Sequence, residues 1–150
     1  MISIALYKPD IPQNTASIIR LCACFKMELH IIKPCGFSLE DTRFKRVVMD
    51  YMGLSKVVRY EDYDNFEKKN LNSRIILMTT KAKKLYHKFI FRKNDILLFG
   101  RESAGVPKTI HDRLLHKLKI PMNKKTRSLN VAMTAAIVSG EALKQIKFYK

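Results

Sequence analysis

Short apolar runs alternate with longer amphipathic segments along the whole chain, and this alternation leaves few fold classes open. The runs IILM and ILLF are apolar throughout, as strands buried on both faces of a parallel sheet are. We therefore expect an α/β fold, with a mostly parallel sheet and helices on both of its faces. Strands are predicted at residues 2–7, 29–32, 56–60, 74–78, 95–99 and 118–120. Helices are predicted at residues 14–25, 39–51, 62–69, 107–115 and 130–148.

Positive charge is the first indication of a binding partner. The 150 residues include 29 Lys and Arg against 13 Asp and Glu, which gives a formal charge of +16. Such a surplus costs self-repulsion that a polyanion would relieve, so we expect contact with RNA or DNA. Compositional bias is the alternative, in which the lysines only solvate the surface. The basic residues are spread along the chain, whereas a disordered arm would collect them in a tail.

The composition predicts one domain, residues 1–150, of a soluble cytoplasmic protein. A hydrophobic fraction of 47% supplies one core at this length. The longest stretch without a charged residue, 128–140, is too short and polar to cross a bilayer, and the start MISIALYKPD lacks a signal-peptide pattern. The odd cysteine count excludes a disulfide scaffold and predicts reduced thiols at Cys22, Cys24 and Cys35. No group of residues has the spacing of a metal site, so we expect none.

Ligands of parallel α/β sheets gather beyond the carboxyl ends of the strands, so the loops there are the candidate sites. The first such loop, KPDIPQNTASIIR, carries Asn14 and leads to Arg20. The two residues share no helical face, because their spacing does not match the turn of a helix. They would therefore act at different points. A simpler reading stays open, in which Asn14 only caps the helix and Arg20 is a solvated cation.

The second loop, GRESAGVP, places Glu102 between Gly100 and Gly105. It is not a P-loop, because no Gly-Lys-Ser/Thr follows, and the chain contains no GxGxxG dinucleotide fingerprint. Gly100 would allow a ligand to approach the backbone closely. Glu102 stands at a strand end, where it is either a solvent-exposed charge or a functional contact.

The third region, KIPMNKKTRSLNVAMTAAIVSGEALKQ, runs from a strand through a Pro121 bend and a basic loop into a long helix. Ser128 and Asn130 offer side-chain hydrogen bonds beside the positive charge of that loop. Small residues such as Ala135 and Gly140 would let the helix pack closely. A solvated loop followed by a core helix explains the same pattern, so this region alone decides nothing.

Taken together, the three motifs resemble those of the SPOUT superfamily of RNA methyltransferases, in particular its SpoU branch and the small tRNA wobble-nucleotide 2′-O-methyltransferases within it. The matching strings are PQNTASIIRLCA, FGRESAGVP and IPMNKKTRSLNVAMTAAIVSGEALKQ. LHIIKPCGF, RFKRVVMDY and MTTKA are also similar, so the resemblance extends over nearly the whole chain. It implies a single SPOUT methyltransferase domain with a trefoil knot at its carboxyl end, where general topology rules predict none. It also implies a homodimer whose active sites are completed near the subunit interface.

The resemblance implies S-adenosylmethionine-dependent 2′-O-methylation of the wobble ribose of tRNA, at cytidine or modified uridine, with leucine tRNAs as substrates. The ribose 2′-oxygen would attack the sulfonium methyl group in line. Because the positive sulfur already activates that methyl group, no metal is required. Two alternatives stay open: methylation of ribosomal RNA or another tRNA position, and a basic RNA-binding module without catalysis. Binding of the cofactor separates this module from the enzymes.

The family pattern implies three groups of functional residues in this chain. The implied catalytic residues are Asn14, Arg20, Glu102 and Asn130. The implied contacts with S-adenosylmethionine are Met78, Thr79, Gly100, Ile120, Met122 and Ser128. The implied RNA contacts are Arg43, Lys45, Arg46, Lys124, Lys125 and Arg127.

The resemblance and the chemistry of the side chains together suggest a role for each catalytic residue. A guanidinium does not readily give up a proton and is a poor base. Arg20 is therefore expected to hold the phosphate beside the target ribose and to stabilise negative charge on the 2′-oxygen. Asn14 and Asn130 would orient the ribose or the neighbouring loops. Glu102 would hold either Arg20 or the loop of the first motif.

A few positions depart from the family pattern. Ala16 and Ser17 stand where the first motif usually has glycine and asparagine. Arg101 replaces a frequent proline, and Gly140 occupies a place where close relatives carry an aromatic residue. These differences affect the expected backbone shape and RNA contacts, but none removes a central motif residue.

Overall fold

The computed structural model describes residues 1–148 and is built on a seven-stranded sheet. Residues 149 and 150 of the predicted 1–150 domain lie outside the described residues. The strands are β1 (Ser3–Tyr7), β2 (Glu28–Ile32), β3 (Val57–Tyr60), β4 (Ile75–Met78), β5 (Lys84–Leu85), β6 (Ile96–Phe99) and β7 (His116–Lys119). The helices are α1 (Pro12–Phe25), α2 (Thr42–Met52), α3 (Tyr63–Lys69), α4 (Lys108–Arg113) and α5 (Val131–Gln145), with a 3₁₀ helix at Tyr86–Lys88.

Every pairing between these strands is parallel, and their order in the sheet is β3-β2-β1-β6-β4-β7-β5. Side chains alternate along a strand, so Ile4 and Leu6 enter one apolar core while Ala5 and Tyr7 enter another. Helices α1, α2 and α5 cover the first core, and α3 and α4 cover the second. The predicted α/β fold with helices on both faces is confirmed, whereas the trefoil knot stays a prediction.

Most predicted strands lie close to the observed ones, and the exceptions are found at the β5 edge of the sheet. The sequence pattern misses β5, because Lys84 and Leu85 form a strand too short to show any alternation. Strand β7 begins at His116 rather than at residue 118, since only Leu118 among its side chains is fully buried. Helix α5 ends at Gln145, earlier than predicted.

The starts of two helices differ from the predicted ones because other residues set them. Helix α1 begins at Pro12, since the fixed φ of proline and its missing N–H suit a first turn. Asn14 therefore lies inside that turn and is not the cap, which corrects the simpler reading of this residue. Helix α2 begins at Thr42 rather than at residue 39, because the Asp41 carboxylate accepts hydrogen bonds from two N–H groups of the first turn.

The described residues also bear on the predictions about membranes, thiols and metals. Within residues 1–148, no helix is both long and apolar enough to cross a bilayer. Cys22, Cys24 and Cys35 are free thiols, and burial raises the pKa of Cys22 to about 12, so this thiol stays protonated in the core. Over the same range, no group of three or more His, Cys, Asp or Glu side chains is arranged to hold a metal ion.

The order of the strands determines where a ligand site can form. Strand β1 is followed by β2 on one side, whereas its neighbour on the other side, β6, belongs to the second half of the chain. The direction in which the sheet is wound therefore changes between β1 and β6. Open parallel sheets bind ligands at such a point, beyond the carboxyl ends of the strands. The loops after β1, β4, β6 and β7 all emerge at this edge.

Candidate active site

A cavity of about 570 Å³ opens beyond the carboxyl ends of β4, β6 and β7. Its volume is in the range of about 300–1,000 Å³ that is usual for small-molecule sites. Residues 77–81, residues 99–106 and parts of the loop between β7 and α5 form its walls. The lining includes every residue that the family resemblance predicts to contact S-adenosylmethionine: Met78, Thr79, Gly100, Ile120, Met122 and Ser128.

Three of the predicted catalytic residues also line this cavity and are joined by hydrogen bonds. The Nδ2 group of Asn14 donates to Oε1 of Glu102, at 3.2 Å. The Nδ2 group of Asn130 donates to Oδ1 of Asn14, at 2.8 Å. Each residue comes from a different motif, so the fold brings the three motifs together at one place.

Asn130 serves both this network and the start of α5. Its Oδ1 atom accepts hydrogen bonds from the backbone N–H groups of Ala132 and Met133, at 2.8 and 3.3 Å. An asparagine at the N-cap position satisfies in this way N–H groups that have no partner inside the helix. Because Nδ2 of the same side chain binds Asn14, the first turn of α5 is tied to the first turn of α1.

Glu102 holds the loop that follows β1. Its Oε2 atom accepts a hydrogen bond from the backbone N–H of Asp10, at 2.9 Å. Its other oxygen is already bound to Asn14. Of the two contacts expected for Glu102, the one with the loop of the first motif is observed. A contact with Arg20 is not found within the part of the chain that the structure describes.

Asp10 belongs to this site although no sequence pattern identifies it. Its carboxylate accepts a hydrogen bond from the Ser103 hydroxyl, and its Oδ2 atom lies 3.4 Å from Nε of Arg101. Ser103 is 93 residues further along the chain, so only the fold reveals the contact. Arg101, which replaces the family's frequent proline, therefore has a carboxylate partner in this chain.

The neighbouring carboxyl groups of Asp10 and Glu102 have pKa values shifted in opposite directions. The neighbouring Glu102 carboxyl group, the hydrogen bond from the Ser103 hydroxyl and the positive charge of Arg101 lower the pKa of Asp10 to about 2. Burial raises the pKa of Glu102, and the neighbouring Asp10 raises it further. Asp10 is therefore the ionised member of the pair, and Glu102 takes up a proton more readily.

The substitution Asp10→Asn is expected to remove part of the acid sensitivity of folding. The pKa of Asp10 is about 2 in the folded protein, below its ordinary value of 3.8. A carboxyl group with this shift contributes stability above its ordinary pKa, and the contribution is lost as the pH falls from 3.8 towards 2. Over this interval, the free energy of unfolding should fall more steeply for the wild type than for the variant.

Urea unfolding at several pH values in this interval measures the difference. Asp50→Asn is the matched control, because Asp50 is an exposed aspartate on α2, away from the cavity. The control should keep the pH dependence of the wild type. If Asp10→Asn and the wild type show the same dependence, the pKa of Asp10 is not shifted by folding.

Residues 100–105 form a tight turn in the wall of the cavity. Arg101 and Gly105 pair through two backbone hydrogen bonds, of 3.2 and 2.7 Å. Gly105 has a φ of 67°, a conformation that glycine adopts readily and other residues rarely do. A Cβ atom at Gly100 would lie 2.5 Å from the backbone of Gly105. The shape of this wall therefore requires both glycines.

The lining of the cavity suits a ligand that has apolar and polar parts. Leu77, Phe99 and Ile120 are apolar residues of this lining. The Nε2 atom of His111, another lining residue, is buried without a hydrogen-bond partner among residues 1–148. A polar ligand atom would satisfy it. S-adenosylmethionine, with its nucleoside, its aliphatic chain and its charged groups, fits such a lining.

Arg20 lies apart from the cavity. Its guanidinium is stacked on the ring of Tyr51 in α2, 4.9 Å from the ring centroid. The residue is exposed, does not line the cavity, and forms no ion pair within the described range 1–148. The tyrosine covers one face of the guanidinium and holds it in place, while its exposed N–H groups remain accessible to a ligand.

The predicted RNA contacts are all exposed and form two groups. They are Arg43, Lys45 and Arg46 in α2, and Lys124, Lys125 and Arg127 in the loop before α5. In the first group, Lys45 pairs with Glu40 at 2.5 Å, and Arg43 lies 3.5 Å from Asp41. In the second group, no side chain has a carboxylate partner among the described residues. The positive charge beside the cavity is therefore uncompensated.

Sequence and fold together define the class of protein. The model of the SpoU rRNA Methylase family matches residues 1–140, which include the entire sheet. The chain therefore belongs to the SpoU rRNA Methylase family. The resemblance seen in the three motifs is confirmed.

Individual relatives are similar over almost their whole length. The chain is 46% identical to the tRNA (cytidine(34)-2′-O)-methyltransferase of Beijerinckia indica subsp. indica, over 95% of this chain and 91% of that protein. It is 38% identical to the protein of the same name from Escherichia coli strain K12, over 99% and 96% of the two chains. A solved structure described as giving structural insights into the 2-OH methylation of C/U34 on tRNA superimposes with a TM-score of 0.92. Its sequence is 33% identical, and the match covers 97% of this chain and 95% of that chain.

Proposed function

We propose that this chain is a tRNA 2′-O-ribose methyltransferase that uses S-adenosylmethionine and acts on the wobble nucleotide, a cytidine or modified uridine of leucine tRNAs. The observation that carries the proposal is the hydrogen-bonded set of Asn14, Glu102 and Asn130 at a cavity of small-molecule size. The names of the relatives, which specify position 34 of tRNA, support this substrate. We further propose that residues 1–150 form a single methyltransferase domain and that the enzyme works in the cytoplasm.

The proposed reaction requires alignment of the reactants. When bound, S-adenosylmethionine would supply a methyl group on a positively charged sulfur, and the electron pair of the broken carbon–sulfur bond would stay on that sulfur, which leaves S-adenosylhomocysteine. The ribose 2′-oxygen would form the new bond to the methyl carbon, and its hydroxyl proton would be released to solvent. The chain itself must hold the ribose at the mouth of the cavity, exclude water and stabilise negative charge on the 2′-oxygen. The lining residues Met78, Gly100 and Ile120 would hold the cofactor.

Asn14 and Asn130 are suited to orient the ribose. Each side-chain NH₂ group has two N–H donors. In each residue one donor is used within the network, by Asn14 towards Glu102 and by Asn130 towards Asn14. The second donor of each is left for an oxygen of the RNA. Glu102 keeps both the Asn14 amide and the Asp10 backbone in place, so we propose a positioning role for it.

Arg20 is proposed to bind the phosphate next to the target ribose and to stabilise the developing negative charge. Its exposed position on α1 suits a homodimer in which the active site is completed near the subunit interface. Helix α5 packs beside α1, and its Met133 and Ile137 are 60% and 39% exposed. These side chains support an apolar contact between two copies at this face.

Transfer of labelled methyl from S-adenosylmethionine to tRNA that lacks wobble ribose methylation tests the proposal. Nuclease digestion and mass spectrometry then locate the label, which is expected on the wobble 2′-oxygen. The same tRNA with a 2′-deoxy wobble nucleotide is the control and should remain unlabelled. Label on ribosomal RNA instead would point to a different substrate. Failure to bind S-adenosylmethionine would favour the RNA-binding module without catalysis.

A further inference from the structure

A strongly basic segment between β4 and β6 lies, apart from its first residue, outside the site described so far. Residues 81–93 read KAKKLYHKFIFRK and contain no acidic residue. The exposed basic side chains of this segment are Lys81, Lys83, Lys84, His87, Lys88, Arg92 and Lys93. Within residues 1–148, none of them forms an ion pair with a carboxylate. We call residues 81–93 the basic edge segment.

Most carboxylates among residues 1–148 already have partners. Glu28 pairs with Lys56 at 2.7 Å and Glu61 with Lys33 at 2.8 Å. Close to the basic edge segment, the buried Asp95 is held by Arg74, also at 2.7 Å. Glu141 of α5 accepts a hydrogen bond from Gln145. The charge of the segment is therefore not balanced from within the described part of the chain, and an anionic partner would relieve its self-repulsion.

The backbone of the basic edge segment is firmly anchored. Strand β5 pairs with β7, so that Leu85 lies opposite Lys119. Phe89 and Phe91 are buried in the core, only 5% and 4% exposed. The Gln145 side chain binds both of them, donating to the carbonyl of Phe89 at 3.1 Å and accepting from the N–H of Phe91 at 2.9 Å. The exposed lysines therefore project from a fixed support.

The basic edge segment begins at the cavity and leads away from it. Lys81 lines the cavity itself. The chain then forms β5, the outermost strand on this side of the sheet, and reaches the start of β6 at the opposite end of the strands. A strand of RNA whose reacting nucleotide occupies the mouth of the cavity would meet Lys81 first and could continue along this edge.

We infer that the basic edge segment binds the phosphate backbone of the substrate RNA outside the reacting nucleotide. The inference rests on the proposed function, and it adds a contact surface on the β5 side of the sheet to the two groups of RNA contacts predicted from the sequence. Each lysine that neutralises a phosphate releases condensed counterions, so affinity gained in this way depends steeply on salt. Salt dependence therefore measures the contacts directly.

The test compares two double variants with the same change in formal charge. Lys83→Gln with Lys88→Gln removes two exposed charges from the segment, while Lys68→Gln with Lys69→Gln removes two exposed charges from the last turn of α3, on the other face of the sheet. For each protein, the dissociation constant for tRNA is measured over a range of salt concentrations. Each lost phosphate contact makes the slope of log association constant against log salt concentration less steep by about 0.7–0.9. The segment variant, which lacks two lysines, should therefore have a slope less steep by about 1.4–1.8 than that of the wild type. The control should keep the slope of the wild type.

Methyl transfer separates this inference from the proposed function. At saturating tRNA, both double variants should keep the kcat of the wild type, because neither pair of lysines lines the cavity. If the wild type methylates tRNA but all three proteins show the same salt dependence, the inference about the segment is wrong and the proposed function still stands. A wild type that methylates no tRNA would overturn the proposed function. Loss of binding to anionic lipid vesicles, with an unchanged slope on tRNA, would assign the segment to a membrane surface and also overturn the inference.

Discussion

The substitution Arg20→Ala is expected to lower kcat for methyl transfer by about 10²–10³-fold, the loss typical when one group that stabilises a developing negative charge is removed. Affinity for S-adenosylmethionine should stay nearly unchanged, because Arg20 does not line the cavity. Single-turnover rates at saturating tRNA measure the first quantity, and titration with S-adenosylmethionine measures the second. A parallel loss of cofactor binding would contradict the assignment of Arg20 to the RNA.

Arg113→Ala is the matched control for this experiment. Arg113 is also exposed, and its guanidinium is stacked 5.3 Å from the ring centroid of Tyr63, against the other face of the sheet. It shares the stacking of Arg20 on a tyrosine ring but also pairs with Asp64 and Glu67, and it has no proposed role, so its loss should leave kcat unchanged. Arg20→Lys should restore only part of the activity, because an ammonium group cannot bind a phosphate through two parallel N–H bonds.

The substitution Gly100→Ala is expected to weaken binding of S-adenosylmethionine by up to about 150-fold. The added Cβ would lie 2.5 Å from two backbone atoms of Gly105 and 2.8 Å from the nitrogen of Val106. The tight turn must shift to relieve this overlap, and overpacking of this kind costs about 1–3 kcal/mol. An affinity loss of this size follows if the shift deforms the wall where the cofactor binds. Calorimetric titration with S-adenosylmethionine measures it directly.

Gly140→Ala provides the control for an added methyl group. Nothing lies within 4 Å of the Cβ position at Gly140, which is inside α5. An alanine there should stabilise the helix by about 0.5–1 kcal/mol and leave cofactor affinity unchanged. Thermal unfolding of both variants distinguishes a local effect at the cavity from general loss of stability. Wild-type affinity in Gly100→Ala would mean that the turn does not shape the cofactor site.

Most of the fold is predictable from the sequence, but the β5 edge of the sheet is not. Runs such as Ile96–Phe99 are apolar at every position because both faces of these strands are covered by helices. Strand Lys84–Leu85 lies at the edge, where two residues suffice to pair with β7 and one side chain stays exposed. Hydrophobic pattern records burial over several consecutive residues, so it does not register a two-residue strand with one exposed side chain.

The site residues that belong to the family motifs could be predicted from the sequence. Site residues that only come into contact through folding could not. The family pattern points to Asn14, Glu102 and Asn130, and the fold joins them by hydrogen bonds. Asp10 gives no such signal, because its partners Arg101 and Ser103 approach it only in the folded chain. The sequence shows the basic edge segment as a run rich in basic residues. That the segment is anchored to the core and lacks acidic partners is shown only by the three-dimensional contacts.

The hydrogen bond between Asn14 and Asn130 connects positions 116 residues apart, and this separation affects how the protein is made. A polypeptide is synthesised from its amino end, so β1 and α1 exist long before Asn130 has been added. The hydrogen-bond network of Asn14 and Glu102 is therefore incomplete until Asn130 has been synthesised. A growing chain on the ribosome therefore carries most of its positive charge before it has a formed cavity, and catalytic competence should arise only as α5 is completed.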